Sequence, residues 1–199
     1  MPEKNKLILI TVGPSCAGKT SMTERLLTYY IYRLAPSHTT RPMREGETNG
    51  FPYYFITDEE FERMNSSNEF LQTTNVHGYK YGMARATINA ILDEGLIPIV
   101  DLVSSSLPPY IEEFGRDKLF IVFIDAPLPL LFRRMTSRDG EADRERLRSG
   151  LVEKNYYHSH KDEFDVYFLN IYDDAKEAVD MLFKVFSAPQ HMNRWINTL

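Results

Sequence analysis

Four short runs of apolar positions punctuate the chain: residues 7–12 (LILITV), Ile97–Val103, Leu119–Asp125 and Val166–Ile171. A continuous apolar run of this length suits a strand buried on both faces, as in a parallel sheet. Helical patterns alternate with these runs. One follows residue 18 and extends through about Tyr30, and others cover Ala84–Glu94 (closed by Gly95), Leu128–Arg138, Arg144–His160 and Asp174–Ser187. Alternating strands and helices predict an α/β fold, a parallel sheet covered by helices.

The stretch from Ser37 to Met83 breaks the alternation. Its first part is rich in Pro, Gly, Thr and Tyr, which favours short strands and turns. Thr57-Asp-Glu-Glu60 matches a capping box and predicts a helix start there. The expected organisation is a single domain, with a core formed by 5–36 and 84–187 and a small mixed α+β lobe, 37–83, inserted into it. The final residues, HMNRWINTL, are compatible with a short helix or a loose end.

Composition narrows the class. With 199 residues, 43% hydrophobic and 26% charged, the chain can build one good core. No apolar run approaches the roughly 18 residues needed to cross a bilayer. The first residues carry no small-residue cleavage site, so a secretory leader is not expected. The single cysteine, Cys16, excludes an internal disulfide framework and a multi-cysteine metal site. A cytoplasmic protein is expected, monomeric or homodimeric. A net charge of −5 argues against a nucleic-acid partner, and no membrane partner is expected. The arginines are unevenly placed, six of them between Arg133 and Arg148 interleaved with four acids. Taken alone, that segment also suits a solvated helix face with i,i+4 pairs.

The chemistry begins at Gly13-Pro-Ser-Cys-Ala-Gly-Lys-Thr20, which matches G-x-x-x-x-G-K-[ST] at every constrained position. Gly13 and Gly18 let the backbone curl so that successive N–H groups face phosphate oxygens. Pro14, Ser15, Cys16 and Ala17 complete the loop, and Ser21 follows in the helix whose positive end points at the anion. Lys19 brings a point charge to the β and γ phosphates, and the Thr20 hydroxyl suits Mg²⁺. The loop follows an expected strand and opens an expected helix, the context that gives the motif meaning. The loop alone does not distinguish a kinase, an ATPase and a GTP switch, although no Asn-Lys-x-Asp stretch of the guanine-nucleotide switches is present. Thiolates are favoured near helix N-termini, but Cys16 has no catalytic neighbour in sequence and is given no catalytic role.

Ser37-His-Thr-Thr-Arg-Pro-Met-Arg44, Gly46-Glu-Thr-Asn-Gly50, Tyr53, Phe55 and Glu59-Glu-Phe61 closely resemble the signature of guanylate kinases. So do Glu69-Phe-Leu71 and Val76-His-Gly-Tyr-Lys-Tyr-Gly82. The resemblance runs from the phosphate loop to about Ala178. It implies a P-loop NTPase core of three α/β/α layers, a nucleoside-monophosphate-binding lobe, and a short mobile lid at about 136–148. It implies that Arg41, Arg44, Tyr53 and Tyr81 hold the acceptor's phosphate, a task suited to guanidinium forks and phenol hydroxyls. By the same resemblance Arg134, Arg138 and Arg146 are lid arginines, and with Lys19 and Arg41 they form the catalytic set. Asp101 is placed near the phosphates and metal, and Asn170 on the ATP side. His38 and His77 fall within family motifs as structural or polar-shell residues.

The base-reading positions depart from the family. Ser37 is kept, but Gln72 stands for the usual glutamate, Met83 for a serine or threonine, and Val103 for a second aspartate. Guanine offers O6 as acceptor beside N1–H and N2–H₂ donors. A glutamine offers one acceptor and one donor, while Met83 and Val103 offer neither. The expected function is ATP-dependent phosphoryl transfer to a nucleoside monophosphate, with base preference shifted away from strict GMP. Other readings remain open at this point. They are a GMP or dGMP kinase with a divergent pocket, a kinase of a non-nucleotide phosphate ester, and a non-catalytic binding module, the last disfavoured by the intact loop.

Overall fold

The computed structural model describes residues 7–76, 78–139 and 144–186, except the side chains at 138, 139, 175, 183, 185 and 186. His77, the Arg138 side chain, the lid's centre at 140–143 and the terminal residues therefore lie outside the described residues. In chain order the strands are β1 (Ile8–Val12), β2 (Tyr32–Leu34), β3 (Ser37–Thr39), β4 (Tyr53–Phe55), β5 (Phe70–Val76), β6 (Tyr79–Ala84), β7 (Ile97–Leu102), β8 (Leu119–Asp125) and β9 (Val166–Leu169). The helices are α1 (Lys19–Leu26), α2 (Asp58–Ser66), α3 (Arg85–Asp93), α4 (Leu107–Phe114), α5 (Leu128–Asp139), α6 (Arg144–Ser159) and α7 (Ala175–Phe186).

The central sheet is parallel throughout, in the order β2-β7-β1-β8-β9. Its middle strands are apolar on both faces because both faces are covered. Leu9 and Ile99, with Phe120, Val122 and Ile124, pack beneath Met22 and Leu26 of α1, Leu131 of α5, and Val179 and Leu182 of α7. On the other face Ile8, Ile10 and Val12, with Ile121 and Phe123, meet Ile88 and Ile91 of α3 and Leu107 and Tyr110 of α4. Tyr157 of α6 packs on that side too. Two helical layers around one sheet make the expected three-layer core.

A second sheet, β4-β3-β6-β5, forms the inserted lobe, with α2 supplying Phe61 and Met64 to a small separate core with Phe70 and Ala84. Thr57 caps α2 by accepting from the Glu60 amide at 3.2 Å, as the capping pattern predicts. The β5–β6 hairpin runs antiparallel, and its register sets Gln72 opposite Met83.

Three differences from the sequence expectations have simple causes. The helix after the phosphate loop stops at Leu26 rather than near Tyr30. The chain turns there because Thr28, Tyr29 and Tyr30 are exposed and offer nothing to bury. The strand Tyr32–Leu34 has little apolar character because it lies at the sheet edge, paired only with β7. Helix α4, which the sequence pattern does not predict, begins around Pro108-Pro109. Both prolines sit in its first turn, where missing N–H groups cost nothing.

Candidate active site

The phosphate loop joins β1 to α1 at the carboxyl end of the central sheet, where ligands of open α/β sheets bind. Its glycines are required by contact as well as by backbone. At φ 137° Gly13 lies so close to β8 that a Cβ would overlap the Ile124 carbonyl oxygen. At φ 99° Gly18 would drive a Cβ into the Asn170 amide. Cys16 takes φ 65°, a left-handed turn that only the loop's curl explains. Gly18 gives α1 no side-chain cap, and the first turn carries no acidic residue. The leading N–H groups of α1 are thus left for an anion. Thr20 and Ser21 stand exposed beside them. Lys19 folds over the loop, its ammonium donating to the carbonyls of Gly13 at 2.7 Å and Pro14 at 3.1 Å.

Asp101 lies on β7 opposite Thr11, whose hydroxyl donates to it at 3.5 Å. Its residue is open to solvent at the cleft floor, yet protein surrounds it on its other sides. That desolvation raises its carboxyl from the ordinary value, against the pull of Lys19 and the Thr11 bond. Thr20, Lys19 and Asp101 therefore share one corner. No cluster of three metal-ligating side chains occurs among the described residues. The hydroxyl of Thr20 and the carboxylate of Asp101 are hard oxygen donors of the kind that would suit Mg²⁺.

Across the cleft stands Arg41, 6% exposed. Its guanidinium makes a bidentate pair with Glu47 at 2.7 and 3.0 Å and donates to the Pro42 carbonyl at 2.9 Å. It also lies over the rings of Tyr53 and Phe55, about 5.5 Å from each centroid. Tyr53 packs edge-to-face on Tyr81 with centroids 5.6 Å apart. Burial, and then the charge of Asp101, push the Tyr53 hydroxyl up to about 12, so it remains a proton donor. Glu47 accepts the Arg44 backbone N–H at 2.7 Å, and the Arg44 side chain is exposed. The structure thus brings Arg41, Tyr53 and Tyr81 together, with Arg44 at their rim.

Other expected residues stand elsewhere. Asn170 is buried, its amide donating to the Ala17 carbonyl at 2.8 Å, so it clasps the loop from behind. Arg134 donates to the carbonyls of Cys16 and Ala17, each at 3.4 Å, and to that of Tyr172. It braces the outer side of the loop. Arg146 is half-buried on α6, one turn before Gly150, whose backbone abuts Pro14. Residues four apart share a helix face, so Arg146 is turned toward the loop. Met83 is fully buried among the core residues beneath the lobe and presents no surface to a ligand. Val103 is 38% exposed beside the cleft, and Ser37 is half-buried at the start of β3. Gln72 is half-buried, its Oε1 accepting from Ser106 at 3.3 Å. His38 stacks against Tyr54 and Phe70, with centroids at 4.9 and 5.6 Å, a packing role.

The sequence concealed one buried cluster. Lys154 of α6 donates to Asp125 at the end of β8 and to the Ala126 carbonyl at 3.0 Å. Asp125 also accepts from the Tyr167 hydroxyl and the Ala126 N–H, both at 2.7 Å. Glu153, beside Lys154, accepts from Ser104 N at 2.9 Å and Ser104 Oγ at 2.7 Å. Together these bonds tie α6 to the strand ends that frame the phosphate loop. Only its position in the arginine-rich helix pattern could have drawn attention to Lys154.

A phosphate loop facing an arginine–tyrosine cluster across a cleft, on a five-strand parallel sheet, defines a P-loop kinase with a separate small lobe. The family is narrower still. The guanylate kinase family model matches residues 4–188. A guanylate kinase of Pseudomonas fluorescens is 34% identical over 96% of this chain and 91% of its own length. That of Clostridium tetani is 30% identical over 94% and 87%. Among solved structures, the guanylate kinase from Anaplasma phagocytophilum aligns with a TM-score of 0.70 at 26% identity, covering 94% of this chain and 88% of the other. A Janibacter sugar kinase, at 16% identity and TM-score 0.53 over 94% and 98%, shares the fold alone. The chain belongs to the guanylate kinase family and is a nucleoside monophosphate kinase.

Proposed function

We propose that the chain transfers the γ-phosphoryl group of ATP to a nucleoside monophosphate whose base is not strictly guanine. The observation that carries this reading is the facing pair of anion sites. Lys19 and the α1 N-terminus lie on one side and Arg41 with Tyr53 and Tyr81 on the other, with Asp101 between them. The acceptor phosphate is largely a dianion at neutral pH, so its oxygen attacks phosphorus without losing a proton, and the bond to the ADP oxygen breaks as the new one forms. The protein's work is to align two mutually repelling anions and offset their charge. Arg41 reaches the acceptor phosphate by sharing or exchanging its Glu47 partner. Tyr53 and Tyr81 donate to the phosphate oxygens, and Arg44 covers the rim. Lys19 follows the transferring group, and Arg146, with Arg138, approaches from the lid. Thr20 and Asp101 are the residues that would hold Mg²⁺, which when bound would supply positive charge to offset that of the phosphates.

The base preference rests on Gln72 and Val103. Neither supplies a carboxylate to guanine's paired donors, and Met83, a thioether with no hydroxyl, is fully buried besides. An unpaired buried polar group costs about 1–3 kcal/mol, so losing these partners together weakens guanine selection. An ADP-release assay with Mg-ATP against ribo- and deoxyribonucleoside monophosphates tests both levels. Turnover with several bases and no dominance of GMP is expected, and rapid turnover with GMP alone would refute the shifted preference. Lys19→Ala should abolish most transfer while leaving the fold intact, and unchanged turnover would contradict its assigned role.

A further inference from the structure

Gln72 lies between two hydroxyls. Its Oε1 accepts from Ser106 Oγ at 3.3 Å, a bond that joins the lobe strand β5 to the start of α4. The Tyr110 hydroxyl, on a fully buried ring, lies beside the same amide but outside direct hydrogen-bonding geometry. The Ser106 hydroxyl does not cap α4, so its bond to Gln72 is the one the structure gives it. Ser106 itself is held in place, because the turn Ser104–Ser106 is anchored from the other side by the Glu153 carboxylate.

A primary amide carries its acceptor and its donors on opposite sides of one rotatable plane, and a hydroxyl both donates and accepts. If the Gln72 amide turns over, its NH₂ meets Ser106 Oγ, and the hydroxyl answers by rotating and accepting. The Tyr110 hydroxyl is free to follow. In the orientation seen here the buried Tyr110 hydroxyl has no partner, and the turned amide keeps a bond to Ser106, so turning it gives up no bond that the structure shows. A carboxylate at this position could only accept. A glutamine in a site without these hydroxyls would be pinned or left unpaired.

Resting on the proposed place of Gln72 against the acceptor's base, we propose that the Gln72–Ser106 pair reads base edges of either polarity. A donor beside an acceptor and an acceptor beside a donor are met equally well. The ligands are nucleoside monophosphates of the adenine and cytosine type together with their deaminated counterparts, hypoxanthine and uracil. Guanine, with two adjacent donors, meets only one acceptor. Ser106 is a positioning residue that acts through Gln72.

AMP and IMP have equal ring size and reversed edges, as do CMP and UMP, so size preference cancels within each pair. The test is kcat/KM for these four and GMP in the wild type, Gln72→Glu, Gln72→Ala, Ser106→Ala and Gln72→Ala/Ser106→Ala. Calorimetric dissociation constants give the same comparison independently of turnover. Each wild-type pair should agree within about fivefold, and Gln72→Glu should split the pairs by about tenfold or more toward IMP and UMP, whose ring N–H it accepts. Ser106→Ala should raise KM about fivefold for both members of a pair, leaving kcat and the KM for ATP unchanged, with no further effect in the Gln72→Ala background. A wild-type split above about 50-fold overturns the proposal, as does a Ser106→Ala effect that persists undiminished without Gln72. GMP far ahead with AMP and IMP level overturns the shifted guanine preference while supporting the reversible pair. GMP poor with AMP and IMP far apart does the reverse.

Discussion

Arg41 carries the most consequence per atom, because its planar fork serves Glu47 here and is proposed to serve phosphate in the reaction. Arg41→Met keeps the packing against Tyr53 and Phe55 but removes the fork. The acceptor kcat/KM should fall by roughly 100-fold, about 2.7 kcal/mol of transition-state stabilisation, with the KM for ATP little changed. A comparable loss in the KM for ATP would place Arg41 on the donor side instead. Glu47 gives a pH signature. The Arg41 pair, and then the Arg44 N–H, hold its carboxyl below the ordinary range despite partial burial. A depressed carboxylate contributes stability that is complete above its unfolded value and lost as pH falls through its folded value. The thermal midpoint of the wild type should therefore exceed that of Glu47→Gln near neutral pH, and the gap should close as pH drops below about 4. A gap independent of pH would show that the carboxylate's charge does not matter. Lys19 and Thr20 were legible from the chain because the spacing of the phosphate-loop motif marks them, and Arg41 drew attention through a motif that resembles that of guanylate kinases. Ser104, Ser106, Tyr110 and Lys154 were not, because each acquires its meaning from a partner at least 28 positions away.

Elements explain which of those partners meet. Strands β1 and β8 were plain in the sequence because burial on both faces demands unbroken apolar runs, and Leu119–Asp125 matches its expected bounds. The edge strand β2 and the helix α4 were hidden, the first by an exposed arginine and the second by its prolines. The lobe's mixed character was legible, but its parallel β3–β4 pairing was not, since turn-rich sequence does not fix strand direction. Helix α6 is where a substitution discriminates best. Lys154→Ala leaves Asp125 charged, buried and short of its cation, which should cost about 3–5 kcal/mol in chemical denaturation. Asp125→Leu/Lys154→Met should recover most of that loss, and no recovery would mean that the pair itself supplies net stability. Gly150 tests the same helix from its other side. An added Cβ would meet Pro14 Cβ at 3.4 Å, an ordinary contact, and alanine is the better helix former. Gly150→Ala should therefore hold or raise stability by up to about 1 kcal/mol, whereas Gly13→Ala, which collides with backbone, should destabilise strongly.

At the scale of the whole molecule, two bodies of unequal strength face one cleft. The central sheet buries β1 and β8 completely between two helical layers, whereas the lobe's separate core is built on Phe61, Met64, Phe70 and Ala84. Local stability follows buried apolar contact, so the lobe should open at a smaller free energy than the core. Its links to the core are the apolar side chains of Leu71 and Met83, which pack into the cluster around Ile88, Leu107 and Tyr110, together with polar ones such as the Gln72–Ser106 bond. On the roles proposed for Arg41, Tyr53 and Tyr81, an acceptor phosphate should stabilise the lobe in proportion to its affinity. Hydrogen exchange should show amides of β3, β5 and β6 exchanging well before those of β1 and β8 in the free protein. Saturating acceptor monophosphate should slow the lobe amides selectively, while a non-hydrolysable ATP analogue alone should protect the phosphate loop and α1 instead. Uniform protection by either ligand would mean that the two bodies open as one. In that case the lobe could not report acceptor binding separately, and its lower stability relative to the core would be wrong.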